Sequence, residues 1–265
     1  MSDSLTRVRL FGLDFVDATS VEEITDVLLA TTSRALDGTD GRLPAVVTPN
    51  VDQLVKRHNA VDAVASSVAE QAQFVLADGQ PIVWASRMLG RPLRTRLAGS
   101  SLTAALWPRL VADGRRAVVI AASATVAELV RREGSTVEAI AAPLLSLDNR
   151  REFDDFVAAC RDTALRCDAE FVFVTLGYPK QCNIIDAMVR SWPADRATPV
   201  FLAVGASFDM YYGLVRRAPV SMQRVGLEWL FRFVQEPRRL FVRYFVDDLA
   251  FGPMIFREWR LFRQR

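Results

Sequence analysis

Histidine and lysine are nearly missing from this 265-residue chain: His58 is its single histidine, and Lys56 and Lys180 are its only lysines among 33 basic residues. With one imidazole, proton abstraction near neutral pH falls to a carboxylate, and histidine-rich metal centres lack their ligands. The three cysteines, Cys160, Cys167 and Cys182, have neither paired spacing nor histidine neighbours, so no disulfide framework and no zinc site is expected. No apolar run approaches the roughly 20 residues of a membrane-spanning helix, and Met1 to Leu10 contains no apolar signal core. A cytoplasmic protein is the expectation. Neither the Walker pattern nor G-x-G-x-x-G occurs, which argues against a P-loop enzyme and against an NAD-type oxidoreductase.

What is present is the composition of a soluble globular enzyme, 51% hydrophobic and 24% charged with a formal net charge of +2. The charge is uneven: residues 214–265 hold eleven arginines against five acids, net +6, leaving −4 for 1–213. An anionic partner for the C-terminal end follows from that asymmetry. Strand-like segments at Arg7–Leu13, Ala45–Thr48, Gln73–Ala77, Ala117–Ala122, Val137–Ala141, Glu170–Leu176 and Val200–Val204 alternate with helix-like sequence, as in a mostly parallel sheet covered on both faces. Ser20, with Glu23 three residues on, marks a helix start, and that helix is expected to run towards Leu36. The alternation ends near Gly213, giving an α/β domain over 1–213 and a helical appendage over 214–265.

The turns after the strands carry the polar residues: Thr48-Pro49-Asn50, Asp78-Gly79-Gln80-Pro81, Gly177-Tyr178-Pro179-Lys180-Gln181 and Gly205-Ala206-Ser207-Phe208-Asp209. Open α/β sheets bind ligands at their carboxyl edge, which such turns line. Asp78 ends the apolar run Phe74-Val75-Leu76-Ala77 and is the best placed general base. Lys180 and Gln181 sit near a helix start, where backbone N–H groups favour phosphate, so a diphosphate ligand is reasonable. Asp209 is suited either to a nucleotide's ribose or base or to a structural cap. Each turn taken alone also fits an ordinary strand-to-helix connection. His58 reads as a solvated or capping residue, and the five tryptophans read mostly as core.

In order along the chain, Thr48-Pro49-Asn50-Val51-Asp52, Ala77-Asp78-Gly79-Gln80-Pro81, Arg96-Leu97-Ala98-Gly99-Ser100, Gly177-Tyr178-Pro179-Lys180-Gln181, Arg217-Ala218-Pro219, Gly226-Leu227-Glu228-Trp229, Glu236-Pro237-Arg238-Arg239-Leu240 and Arg243-Tyr244 resemble the WecG/TagA/CpsF glycosyltransferases (glycosyltransferase family 26). The resemblance implies a Rossmann-like variant of the α/β fold, without the common two-domain arrangement, plus a C-terminal appendage that completes the site at the membrane. It implies inverting transfer of a sugar, often of N-acetylmannosamine type, from a UDP-sugar to a polyprenyl-diphosphate-linked acceptor with no obligatory metal. By position, the base falls on Asp78, residues beside the reacting centre on Thr48 and Asn50, and diphosphate contacts on Arg96 and Gln181. Substrate contacts extend to Gly99, Gly177, Pro179, Lys180, Gly205, Asp209, Arg238, Arg239 and Arg243. An inverting transfer needs one base and a set of cations or donors for the leaving diphosphate, and these residues supply both.

Three features depart from the family pattern: Ser101 where Asp is usual, Cys182 where Glu is usual, and Ala121-Ala122 where two glycines are usual. They leave the donor sugar open and keep a second reading in view, an impaired member that binds a nucleotide sugar or a glycan-assembly partner. Pro237 to Arg265 interleaves seven aromatics with seven arginines and three acids. Leu240, Phe241, Tyr244, Phe245 and Leu249 form one expected stripe, and Ile255, Phe256, Trp259 and Phe262 another. Such helices lie on anionic membranes; the alternative is packing on the protein's own domain or on a second subunit of a homo-oligomer. Nucleic acid is a weak option, because the remainder of the chain is acidic.

Overall fold

The computed structural model describes residues 5–30, 41–216, 218–219, 222, 228–235 and 248–263. In chain order the elements are β1 (Arg7–Leu10), β2 (Leu13–Val16), α1 (Val21–Ala30), β3 (Leu43–Val47), α2 (Val51–His58), α3 (Ala63–Gln71), β4 (Ala72–Val75), α4 (Gln80–Met88), α5 (Gly99–Ala112) and β5 (Ala117–Ala121). They continue with α6 (Ala124–Arg131), β6 (Val137–Ala141), α7 (Arg150–Arg166), β7 (Phe171–Val174), α8 (Lys180–Arg190), β8 (Val200–Ala203), α9 (Ser207–Tyr211), α10 (Glu228–Gln235) and α11 (Phe251–Arg263), the last preceded by one 3-10 turn.

Eight strands form one sheet in the order β1-β2-β4-β3-β8-β7-β5-β6, parallel throughout except for the β1–β2 pair. The inner strands are apolar end to end, as strands buried on both faces must be: Phe171-Val172-Phe173-Val174 and Val200-Phe201-Leu202-Ala203 are wholly buried. Their alternation divides the core. Val172 and Val174 face a layer containing Leu54, Val68, Ile82, Phe153, Ile185 and Phe251, from α2, α3, α4, α7, α8 and α11. Phe171 and Phe173 face Ile24, Leu102, Trp107, Val126 and Phe208, from α1, α5, α6 and α9. Helices on both faces of a mostly parallel sheet is the architecture expected from the sequence.

One expectation needs correction. The stretch Arg7–Leu13 is an antiparallel hairpin and not one strand: Phe11 and Gly12 adopt φ of 51° and 75°, and Leu10 pairs with Leu13. The apolar alternation reads through a two-residue turn because Phe11 is itself buried. The helix start at Ser20 is as expected, with Glu23 N–H donating to Ser20 Oγ at 3.3 Å and the Glu23 carboxylate accepting from the Thr19 N–H at 2.7 Å; the expected run from Ala30 towards Leu36 lies outside the described residues. The described part of that helix ends at Ala30.

Candidate active site

The register of the sheet decides which turns meet. Val47 pairs with Val75 on one side and with Ala203 on the other, so Thr48, Leu76 and Val204 leave the sheet at one level. Leu76 N–H still donates to Val47 O at 2.9 Å, and Asp78 N–H donates to Pro49 O at 3.0 Å, zipping the two turns together past the strands. On the far side of Asp78, Leu97 N–H donates to Ala77 O at 2.9 Å, which brings the Arg96-Leu97 segment to the Asp78 turn.

Helix α5 then closes on this edge. Gly99 N–H donates to Asp78 Oδ2 at 3.3 Å, so the carboxylate is held at the start of a 14-residue helix, where partial positive charge favours an anion. The approach is so close that a methyl group on Gly99 would lie 2.9 Å from Thr48 Oγ1 and 3.5 Å from Ser207 Oγ. Only glycine fits between those hydroxyls without displacement. Thr48 is 5% exposed and its hydroxyl donates to Ala203 O at 3.2 Å, so its lone pairs are what it can offer a ligand. Asn50 caps α2, its Oδ1 accepting from Gln53 N–H at 3.1 Å; its amide NH2 is the group able to reach a substrate hydroxyl.

The third and fourth turns are tied to each other. Gln181, 2% exposed, accepts from Gly205 N–H through Oε1 at 3.1 Å, and Gly205 needs its φ of 55° to make that turn. Gln181 therefore holds the Gly205 turn with its oxygen. Gly177 lies exposed, Tyr178-Pro179 is a cis peptide, and Pro179 precedes Lys180, the half-buried first residue of α8. Asp209 lies in α9, its carboxyl raised from the ordinary value by burial, and its carbonyl accepts from Leu214 N–H at 2.8 Å. Thr48, Asn50, Asp78, Gly99, Gln181 and Gly205 are thus joined by short steps along one edge. Arg217, Arg238, Arg239 and Arg243 lie outside the described residues.

Behind this edge an aromatic triad fixes α5 and α9. Trp107 and Phe208 have ring centroids 4.9 Å apart, and each lies 5.4 Å from Phe173, all edge to face. Such pairs each contribute about 0.5–1.5 kcal/mol beyond area burial. They anchor the two helix starts that carry Gly99 and Ser207.

Sequence reasoning missed Ser207 and Asp17. Ser207 is 3% exposed, donates to Val204 O and flanks Gly99; its position within the Gly205 turn was the available signal. Asp17 accepts from Arg94 N–H at 2.8 Å and pairs with its guanidinium at 3.2 Å, steadying the segment that carries Arg96. Nothing local in the sequence marks that partner 77 residues away. Thr175 performs a similar task after β5: its hydroxyl donates to Ile120 O and accepts from Ala122 N–H, holding the Ala121-Ala122 turn.

Cys182 is 3% exposed, and burial pushes its thiol up to about 12, with Asp62 adding to the effect. It borders a small cavity with Leu54, Arg57 and Tyr178 beneath the site and is no nucleophile. His58 is exposed at the end of α2, as expected. Of the tryptophans, Trp107 is core, whereas Trp84 is 46% and Trp259 36% exposed. The expected stripe on α11 also divides: Ile255 and Phe262 pack on the core with Phe251 and Met254, while Phe256 and Trp259 face out, stacked at 5.8 Å. Glu258 accepts from Phe11 N–H at 2.9 Å and fastens the helix to the hairpin.

A separate cavity of about 410 Å³ lies between α7 and α8, towards the far end of α8, and is lined by Arg150, Phe153, Arg161, Asp186 and Arg190. Its arginines are engaged with Asp154, Asp162 and Asp186, so it offers no cationic pocket to compete with the sheet edge. Among the described residues no three His, Cys, Asp or Glu side chains gather so as to hold a metal ion. No described helix is long and apolar enough to cross a membrane.

Comparison with known proteins gives a consistent picture. The profile of the Glycosyl transferase WecG/TagA/CpsF family matches residues 8–265. An N-acetylglucosaminyldiphosphoundecaprenol N-acetyl-beta-D-mannosaminyltransferase of Bacillus spizizenii strain W23 is 30% identical over 231 residues, covering 86% of this chain and 82% of that protein. The enzyme of the same description from Bacillus subtilis strain 168 is 28% identical over 211 residues, covering 77% and 75%. That from Staphylococcus aureus strain MW2 is 22% identical over 237 residues, covering 88% and 87%.

Proposed function

This chain belongs to the WecG/TagA/CpsF family of glycosyltransferases, and we propose that it moves an N-acetylmannosamine-type sugar, or a related hexose or uronic acid, from a UDP-sugar to a polyprenyl-diphosphate-linked acceptor in cell-surface polysaccharide synthesis. The observation that carries the reading is the Asp78 carboxylate, held by Gly99 N–H at the carboxyl edge beside Thr48.

In the reaction the acceptor hydroxyl oxygen attacks the anomeric carbon from the face opposite UDP. Its proton passes to Asp78, the bond from the anomeric carbon to the diphosphate oxygen breaks, and the leaving UDP takes the electron pair. The configuration inverts. Thr48 and Asn50 orient the sugar by accepting from and donating to its hydroxyls. Arg96, Lys180 and the Gln181 amide NH2 meet the charge that grows on the diphosphate, and charge-assisted contacts of this kind are worth about 1.5–3 kcal/mol each. Gly177, Pro179 and Gly205 shape the backbone around the diphosphate, and Asp209 binds the nucleoside. Arg238, Arg239 and Arg243 complete the site from the appendage over residues 214–265. No obligatory metal enters this scheme.

The acceptor being a lipid, the enzyme works as a peripheral protein on the cytoplasmic face of the membrane, with the outward face of α11 (Phe256, Trp259, Arg257, Arg260 and Arg263) against anionic headgroups. A panel of UDP-sugars offered with a diphosphate-linked N-acetylglucosamine acceptor tests the reading. Transfer from UDP-N-acetylmannosamine or a close relative is the expected result. Tight UDP-sugar binding with no transfer from any donor would instead support the impaired-member reading.

A further inference from the structure

Helix α4 begins two residues after Asp78. It buries Ile82, Val83, Ala85 and Ser86, yet presents Trp84 at 46% and Met88 at 73% exposure. Trp84, Met88 and Arg91 follow at intervals of four and three, so they line one side of the helix and its exit. Arg91 ties this end of α4 to the core-packed side of α11. The Arg91 guanidinium lies 3.9 Å from the centroid of the Phe262 ring, on α11. Beyond it α11 exposes Phe256, Trp259 and Leu261, with Arg260 and Arg263 lying over the Phe256 and Trp259 rings.

We propose that the outer face of α4 is a second membrane-contacting surface, tied to α11 by the Arg91–Phe262 contact, and that its occupant is an anionic lipid bilayer; the proposal rests on the lipid-linked acceptor argued above. The charge pattern selects this occupant. Residues 80–91 carry Arg87 and Arg91 and no acid, and α11 carries Arg257, Arg260 and Arg263 against Glu258, which is engaged with Phe11 N–H. Two copies of such a face would bring arginines against arginines. Lipid phosphates supply the missing negative charge, and Trp and Met side chains enter the headgroup boundary.

The arrangement has a use in the reaction. α4 is about 12 Å long and starts at the Asp78 turn, so a bilayer against Trp84 and Met88 holds Asp78 close to the headgroup plane. The diphosphate of a lipid-linked acceptor lies in that plane, and its sugar projects from it towards the base.

The test uses the full chain with phosphatidylglycerol–phosphatidylcholine vesicles. Trp84→Ser combined with Met88→Ser is expected to weaken vesicle partition about tenfold or more. The same variant should keep full turnover on a short-chain, water-soluble acceptor and lose turnover on a long-chain acceptor embedded in vesicles. Arg87→Glu, a fully surface change, should weaken partition likewise and guards against misfolding of the double variant; Trp84→Phe with Met88→Leu should restore it. Unchanged partition in both variants overturns the proposal, as does a fall in the solution mass of the chain with partition unaltered, which would assign the face to a second copy. Partition requires no sugar chemistry, so absence of turnover on both acceptors by the unaltered chain would strike the proposed reaction and leave the docking result standing on its own.

Discussion

At the carboxyl edge of the sheet the polar groups are fixed by backbone: Asp78 by Gly99 N–H, Thr48 by Ala203 O, Asn50 by Gln53 N–H and Gln181 by Gly205 N–H. On α11 the pattern is reversed, with apolar side chains fixing the helix through Phe251 and Met254 while the outward arginines stack on neighbouring rings in solvent. The first region holds its reactive groups rigidly in a partly desolvated edge, where a shift of a few tenths of an ångström matters. The second presents long, adaptable cations around aromatic wedges, which suits a fluid surface with no fixed geometry. The proposed catalytic edge and the proposed adhesive face should therefore respond differently to substitution.

The largest expected effect is at the edge. Asp78→Asn keeps shape and hydrogen-bonding capacity but removes the base, so turnover should fall about a hundredfold to ten-thousandfold while UDP affinity, read by calorimetry, barely changes. On α11, Phe256→Ser with Trp259→Ser should reduce vesicle partition about a hundredfold, from roughly 1.5 kcal/mol for each ring withdrawn, and should leave turnover on a soluble acceptor intact. If that pair of changes also silenced the soluble reaction, the division between edge and face would fail.

Arg96→Ala and Gln181→Ala should each weaken UDP binding by about 1.5–3 kcal/mol, roughly tenfold to a hundredfold. Gln181→Ala should in addition lower the melting temperature, because Gly205 N–H loses its partner. Gly99→Ala drives a methyl into Thr48 Oγ1 and is expected to destabilise the fold by about 1–3 kcal/mol, an effect that Thr48→Ala in the same chain should relieve. A melting curve for the double variant no better than that for Gly99→Ala would mean the clash lies elsewhere. The smallest effect concerns Cys182. With burial pushing the thiol up to about 12, it should resist alkylation at pH 8 in the folded protein and react only on unfolding.

The parallel sheet was legible because its inner strands are short apolar runs that stop at Thr48, Asp78, Gly177 and Gly205, a pattern that survives without any knowledge of partners. The hairpin at Phe11-Gly12 was not, since a buried residue in the turn hides the break in alternation. Asp78 could be singled out by its place at a strand end and Ser207 by its place in the Gly205 turn, but Asp17 and the Gly99 contact could not. Both depend on neighbours remote in the chain, Arg94 for Asp17 and Thr48 for Gly99, which only the folded sheet brings together. The α11 stripe was misread for a related reason: Ile255 and Phe256 are adjacent in sequence and belong to opposite faces, one claimed by the core and one left outside.

The account turns on inversion driven by the Asp78 carboxylate, and the anomeric configuration of the product reports it directly. With an α-linked UDP-N-acetylmannosamine donor and a lipid-diphosphate acceptor, the wild-type chain should form a β-linked product by nuclear magnetic resonance, and Asp78→Asn should form almost none. An α-linked product, or β-linked product made by Asp78→Asn at a rate near that of the wild type, would contradict it.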